Sequence, residues 1–271
     1  MAATMKRNED LQWQRLRETG RLGTREVHFL ATVDSTNEVA LAMGRAGGRA
    51  GTVVVAEQQS RGRGRLGRAW LSPPGMGVYL SLVLRPCLDP KDLAKITLAG
   101  GLAVCKAVES VTGLAPGIKW PNDLLLDNRK FGGILTETGG LRPGEPPLVV
   151  LGIGINVLTP LAAFPPELRD RVISLAVAGG REYLRGDLLV AVVEQVEREV
   201  ERLERGEFRA LLGEWRQRDA VIGRRLAWVT PDGAVVEGIA LGPDEQGLLH
   251  IRDDAGRVHE VLSGDLDLLK R

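Results

Sequence analysis

The chain has 271 residues, enough for one large domain and a small one. Lys and Arg number 36 against 35 Asp and Glu, a near balance that argues against a protein whose main task is coating nucleic acid or anionic membrane. The N-terminus lacks the apolar core of a signal peptide, and the apolar run from Ile96 to Cys105, bounded by Lys95 and Lys106, is too short to span a bilayer. Cys87 and Cys105 lie in apolar stretches without metal or redox spacing, so both are expected as small core residues in a reduced, cytoplasmic setting. His28, His250 and His259 are scattered and form no ligand cluster, so no resident metal is expected.

In chain order, residues 1–25 are polar and mixed in charge; a short helix around Leu11 to Leu16 or a frayed tail are both open readings. The segment is too short to hold a helix-turn-helix domain with its own core, so no DNA partner is expected. Val27–Val33 reads as a strand, and Ser35–Arg45 as a helix, with Ser35 and Glu38 spaced as a capping box. Thr52–Gln58 and Val78–Leu84 read as strands, and Leu93–Val111 is apolar at helical spacing. Short strands follow at Ile118–Trp120, Leu124–Leu126, Phe131–Glu137 and Leu148–Ile155, with Asp127-Asn128 as a hairpin turn. Gly186–Arg205 carries an apolar stripe of Leu189, Val192, Val196, Val200 and Leu203, the signature of an amphipathic helix. After Gly223 four short strands alternate with turns at Pro231-Asp232-Gly233, Asp244 to Gly247 and Asp253 to Gly256. The reading is an α/β (α+β) catalytic domain over 26–222, after a 1–25 tail, and a small barrel-like β unit over 223–271.

Four segments are candidates for chemistry. Gly62, Gly64 and Gly67 match GxGxxG, but Leu71-Ser72-Pro73-Pro74-Gly75 follows, and a dinucleotide fingerprint must open a helix. Between Glu57 and Asp89 lie five arginines and no acidic residue. Glycine amides and guanidinium forks together suit a carboxylate or phosphate, while a solvated basic loop or a nucleic-acid contact stays open. Lys119-Trp120-Pro121-Asn122-Asp123 is an extended segment that turns, and the hairpin after it carries Lys130 at its tip beside Gly132 and Gly133. Gly152-Ile153-Gly154-Ile155-Asn156 ends an apolar strand with alternating glycines, as a cleft wall or a closely packed strand would. Asp34-Ser35-Thr36-Asn37 is a helix start, which can also receive polar ligand groups.

Taken in this order, Asp34-Ser35-Thr36-Asn37, Gly62 to Arg68, Lys119 to Asp123, Lys130 to Leu135 and Gly152 to Asn156 resemble the biotin protein ligase family. The resemblance runs from Glu26 to Val157 and is looser beyond. It implies a mixed-sheet catalytic domain with an SH3-like C-terminal domain, and formation of biotinyl-5′-AMP from biotin and ATP with Mg²⁺. Transfer to a lysine of the biotin carboxyl carrier protein domain of acetyl-CoA carboxylase would follow. Carried over, Ser35, Thr36, Asn37 and Gln59 would bind the ureido ring. Arg63, Gly64, Arg65 and Lys130, with Gly132 and Gly133, would hold the biotin carboxylate and the adenylate phosphate. Arg68, Trp70, Lys119, Asn122, Asp123 and Asn156 would complete the ATP site, and Asp123 would orient or deprotonate the acceptor lysine. A homodimer is also expected, from exposed strands in the sheet.

The physics of such a reaction fits these residue types. A carboxylate attacking an α-phosphate brings two anions together, and fixed cations, N–H donors and Mg²⁺ must neutralise that charge. Two features depart from the family. Many members carry an N-terminal DNA-binding domain where only a tail stands here, and Leu269 stands where an arginine is expected, with Lys270 or Arg271 as substitutes. A lipoate-type ligase is the nearest rival, and a nucleic-acid-binding module using the arginine loop is the rival of another class.

Overall fold

The central strands, Val53–Gln59, Gly77–Leu84 and Val149–Asn156, are largely apolar on both sides of the pleat and largely buried. The structure is a computed structural model that describes residues 16–18, 26–140, 144–230, 233–261 and 266–268. Seven strands make the main sheet: β1 (Val27–Val33), β2 (Val53–Gln59), β3 (Gly77–Leu84), β4 (Gly117–Lys119), β5 (Asp123–Leu126), β6 (Arg129–Thr138) and β7 (Val149–Asn156). Their order is β1-β2-β3-β7-β6-β5-β4. Only β1 and β2 run parallel, joined through helix α1 (Thr36–Arg45). The other neighbours are antiparallel.

Strand parity decides which helix each side chain meets. Val54, Val83 and Val150 pack with Ala40 and Leu41 of α1 in a small cluster. Val53, Val55, Leu80, Leu82, Leu151, Ile153 and Ile155 face the main core, with α2 (Lys95–Thr112) and α4 (Arg185–Glu204). Gly152, Gly154 and Asn156 therefore share the α1 face with Val150, and the candidate site forms there. Two short helices, α3 (Leu175–Gly179) and α5 (Phe208–Arg216), carry no long apolar stripe and go unread in the sequence. Trp215 of α5 is fully buried. Glu199, almost fully buried, takes Lys106 of α2 at 2.7 Å and Arg202 at 2.7 Å, and Arg202 reaches Glu214 of α5, so the charges under these helices are mutually satisfied.

A second, five-stranded antiparallel sheet follows, ordered β11-β10-β9-β8-β12. Its strands are β8 (Arg225–Val229), β9 (Val235–Pro243), β10 (Leu249–Asp253), β11 (Val258–Val261) and β12 (Leu266–Leu268), the last of which the sequence does not announce. Two side chains of the Lys119–Asp123 segment hold it to the main sheet: Lys119 Nζ donates to the Leu266 carbonyl at 2.5 Å and Trp120 Nε1 to the Gly247 carbonyl at 2.9 Å.

Four expectations need correction or fall outside the description. Ser35 is the N-cap of α1 in extended conformation, but its side chain makes no capping bond, and Glu38 turns instead to Arg63, so there is no capping box. Cys87 is exposed; only Cys105 is a core residue, and burial raises its thiol far above the ordinary range. The tail is not simply frayed, because Leu16 is fully buried in the main core and 16–18 is helical; residues 11–15 lie outside the described residues. Leu269, Lys270 and Arg271 also lie outside them.

Candidate active site

The floor of the site is a row across three strands. Ser81 of β3 pairs with Gly152 of β7, which pairs with Leu135 of β6. Asn37, in the first turn of α1, lies directly on Gly152: a Cβ there would stand 2.1 Å from Asn37 Oδ1. Ser81 Oγ donates to Asn37 Oδ1 at 2.6 Å and is 2.8 Å from Thr36 Oγ1. Asn37 Nδ2 donates to the Leu135 carbonyl at 3.2 Å and to Glu137 Oε2 at 2.8 Å. Gln59 Oε1 accepts from Thr36 N at 2.9 Å and lies 3.2 Å from Thr36 Oγ1, while Gln59 Nε2 donates to Ser72 Oγ at 2.8 Å. Ser35, Thr36, Asn37, Ser72 and Ser81 are all buried. A buried polar group needs a partner, and this network supplies one to each amide while fixing its orientation.

The next row is Tyr79, Gly154 and Gly133, and an aromatic ring covers its glycines. A Cβ on Gly154 would fall 2.6 Å from Trp70 Nε1, and one on Gly133 would fall 3.4 Å from Lys130 Cε and 3.7 Å from Trp70 Cζ3. Trp70 Nε1 is buried without a hydrogen-bond partner. Lys130 Nζ stands 5.5 Å from the centre of the same ring and 2.5 Å from Asp123 Oδ1.

The arginine–glycine segment folds back on itself rather than opening a helix. Trp70 N donates to the Gly62 carbonyl at 2.8 Å and Gly64 N to the Arg68 carbonyl at 2.7 Å, with Arg63 and Ala69 bridged between. Leu66 (φ 55°) and Gly67 (φ 73°) turn the tip, leaving Leu66 64 % exposed. The Gly64 and Trp70 amides are thus spent inside the loop, and the guanidinium groups become its means of meeting an anion. With Leu135, Glu38 and Glu137, the loop lines an open cleft of about 730 Å³.

The arginines are already engaged. Arg63 bridges Glu38, at 3.0 Å, and Glu137. Arg65 donates to Asn122 Oδ1 at 3.2 Å, and Asn122 Nδ2 donates to the Ile134 carbonyl at 3.0 Å. Arg61 pairs with Asp34, and this, with the Ser60 hydroxyl, holds the Asp34 carboxyl below the ordinary carboxylate range. The described residues hold no cluster of three or more carboxylate, His or Cys groups that could hold a metal.

The structure therefore brings Ser35, Thr36, Asn37 and Gln59 to one end and Arg63, Gly64, Arg65, Arg68, Trp70, Asn122, Asp123, Lys130 and Gly133 to the other, while Gly132 faces Leu124 in the main core instead, on the opposite side of the strand from Gly133. Lys130 is not at a free hairpin tip. Asp127 and Asn128, at φ 51° and 59°, make the turn, and the Lys130 backbone is bonded to Arg171 and Ile173. Asn156 is buried and donates to the Ile173 carbonyl at 3.3 Å, so it fastens the same segment that brackets Lys130. Lys119 stands apart, turned toward the second sheet. Sequence reasoning missed Ser72, Ser81 and Glu137. Ser81 had a signal: it is the one small polar side chain in the strand Gly-Val-Tyr-Leu-Ser-Leu-Val-Leu.

Comparison with known proteins agrees with this geometry. Residues 29–156 match the model of the Biotin/lipoate A/B protein ligase family. The biotin–[acetyl-CoA-carboxylase] ligase of Mycobacterium tuberculosis is 33 % identical over 249 residues, covering 90 % of this chain and 89 % of that protein. The bifunctional ligase/repressor BirA of Bacillus spizizenii is 33 % identical over 236 residues, covering 87 % and 72 %. Among solved structures, the biotin protein ligase from Aquifex aeolicus in complex with biotin and ATP superposes with a TM-score of 0.77 at 30 % identity, covering 91 % of this chain and 99 % of that one. With the Asn37–Gly152 floor, the arginine loop and Lys130 gathered on one face of such a sheet, the chain belongs to the biotin protein ligase family.

Proposed function

We propose that the protein is a biotin–[acetyl-CoA-carboxylase] ligase. It joins biotin to AMP at the expense of MgATP, then passes biotin to a lysine of a biotin carboxyl carrier protein domain. The observation that carries this reading is the two-ended site: a hydrogen-bonded amide and hydroxyl floor next to an arginine-lined cleft, with Lys130 over the Trp70 ring at the base of the arginine loop. Biotin has that polarity, a ureido edge at one end and a carboxylate at the other.

In the first half-reaction a biotin carboxylate oxygen attacks the α-phosphorus of ATP, and pyrophosphate leaves. Thr36, Asn37 and Gln59 hold the ring, and Gly152 and Gly154 let Asn37 and Trp70 themselves lie close to β7. Lys130 gives up Asp123 to face the carboxylate and α-phosphate, while Arg63 and Arg65 meet the remaining anionic oxygens. Mg²⁺ bound to the ATP phosphates would shield part of their charge. Trp70 walls the nucleotide side, and the loop that carries it covers the mixed anhydride from water. In the second half-reaction the neutral amine of the carrier lysine attacks the acyl carbon and AMP leaves. Asp123, released from Lys130, orients the amine and takes its proton.

We take residues 26–222 as the catalytic unit and 223–271 as an SH3-like C-terminal unit, on the size and antiparallel order of the second sheet. β1 ends the main sheet, and its outer edge suits a second copy of the chain, giving a homodimer. The setting is cytoplasmic in this reading; no helix among the described residues is long and apolar enough to cross a membrane. DNA is not among the partners, and a sequence-specific, biotin-dependent mobility shift would overturn that point.

The test is adenylate formation. Purified protein with biotin and MgATP releases pyrophosphate and accumulates biotinyl-5′-AMP without an acceptor; lipoate in place of biotin does not support this. Pyrophosphate release that ignores biotin, or equal use of lipoate, would sink the reading.

A further inference from the structure

Glu137 lies at the end of β6, seven residues beyond Lys130, and its two carboxylate oxygens serve opposite ends of the site. Oε2 accepts from Asn37 Nδ2 at 2.8 Å, and Oε1 accepts from the Arg63 guanidinium. Its side chain is 24 % exposed and lines the cleft under the loop. A carboxylate can only accept hydrogen bonds. It therefore forces the amide nitrogen of Asn37 toward itself. With the Leu135 carbonyl taking the second N–H and Ser81 donating to Oδ1, the amide of Asn37 has one capacity left, a single lone pair on Oδ1. Asn37 can recognise a ligand N–H and nothing else.

We propose that Glu137 is a positioning residue that couples recognition of the ligand ring to closure of the arginine loop. One oxygen fixes which way Asn37 faces, and the other anchors Arg63, so the floor and the roof share a single rigid carboxylate. The inference rests on the reading of this cleft as the biotin site. Glu38 contributes only to the loop end, through Arg63, so the double contact belongs to Glu137.

Glu137→Gln tests it with almost no change of shape. The new amide presents both a donor and an acceptor, so Asn37 is free to reverse and Arg63 loses a charged partner. The expected result is a KM for biotin raised about tenfold, with kcat for adenylation within about threefold of the parent. Biotinyl-5′-AMP should escape about tenfold faster into a chase of unlabelled biotin. Glu137→Ala should be at least as severe. Because the loop arm of the effect runs through the Glu137–Arg63 contact while the Asn37 arm does not, Glu137→Gln combined with Arg63→Ala should speed adenylate release by less than the product of the two single effects. Biotin KM and adenylate retention within twofold of the parent would overturn the proposal. So would strictly additive losses in the double variant, or a fall in melting temperature that accounts for lost activity in full. Failure of the parent protein to bind biotin in calorimetric titration would remove the underlying site reading, an outcome separate from these.

Discussion

Lys130 and Asp123 meet across the β5–β6 hairpin, Nζ to Oδ1 at 2.5 Å, at a point where the strand register slips. Leu124 pairs with Gly132 and Leu125 with Lys130, so Phe131 is an extra residue, buried in the core. Such a bulge re-aims neighbouring side chains. Here it sets Lys130 against Gly133, above the Trp70 ring.

Lys130→Ala should accordingly lower the rate of adenylate formation about a hundredfold, the usual cost of one preorganised donor at a developing charge. Its ion pair is partly solvated and is worth roughly 0–1 kcal/mol of stability. Single-turnover adenylation measured beside the melting temperature checks this. An unchanged rate would leave Lys130 as no more than Asp123's partner, and a large drop in melting temperature would make it structural.

Gly152→Ala and Gly154→Ala should separate the two ends of the site. The first drives a methyl group into the Asn37 amide, the second into the Trp70 indole. Overpacking of this kind costs about 1–3 kcal/mol. Gly152→Ala should raise the KM for biotin by roughly tenfold or more while the KM for ATP changes little. Gly154→Ala should disturb both, because Trp70 borders the nucleotide side. Steady-state kinetics with each substrate varied in turn distinguishes them, and a biotin KM unaffected by Gly152→Ala would remove Asn37 from ring recognition.

Asp219 should make stability depend on pH. Its Oδ1 accepts from the amides of Val221, at 2.8 Å, and Ile222, at 3.1 Å, but Oδ2 is buried without a partner, and burial pushes the carboxyl up to about 6. The folded protein thus keeps a proton that the unfolded chain releases near pH 4. Stability from this group is complete below about pH 4, falls as pH rises to about 6 and is flat above, by up to about 3 kcal/mol in all. Asp219→Asn keeps the Oδ1 acceptor and removes the titration. The difference in unfolding free energy between parent and variant, measured by urea from pH 4 to 7, should change across that window; a constant difference would contradict the assignment.

The sheet was legible because its strands are short, branched and separated by turn residues, and α2 and α4 because their apolar spacing is long and regular. The alternating glycines of β7 were legible as either a cleft wall or a closely packed strand; the structure shows close packing, and the side chains packed on them, Asn37 and Trp70, could not be named from strand pattern. Those side chains come from 115 and 84 residues away. Glu38 illustrates the limit. Its spacing from Ser35 is that of a capping box, a local signal, yet its partner is Arg63, 25 residues on. Cys87 was misplaced for the same reason: an apolar neighbourhood in sequence does not say which side of the surface the chain takes. Glu137 gave no signal, because its meaning lies in two partners from other parts of the chain.

The Lys119–Asp123 segment faces two ways. Asn122 and Asp123 bond to Arg65 and Lys130 in the candidate site, while Lys119 and Trp120 are fastened to backbone carbonyls of the second sheet. Damage to that outlying sheet should therefore be felt as an enzymatic defect. In a survey of random variants, substitutions around Gly247 and Leu266 would be scored alongside those of the cleft, because they disturb the carbonyls that hold Lys119 and Trp120. A map of sensitive positions would extend well beyond the cleft, and its outer edge would mark where this short stretch of chain is held in place.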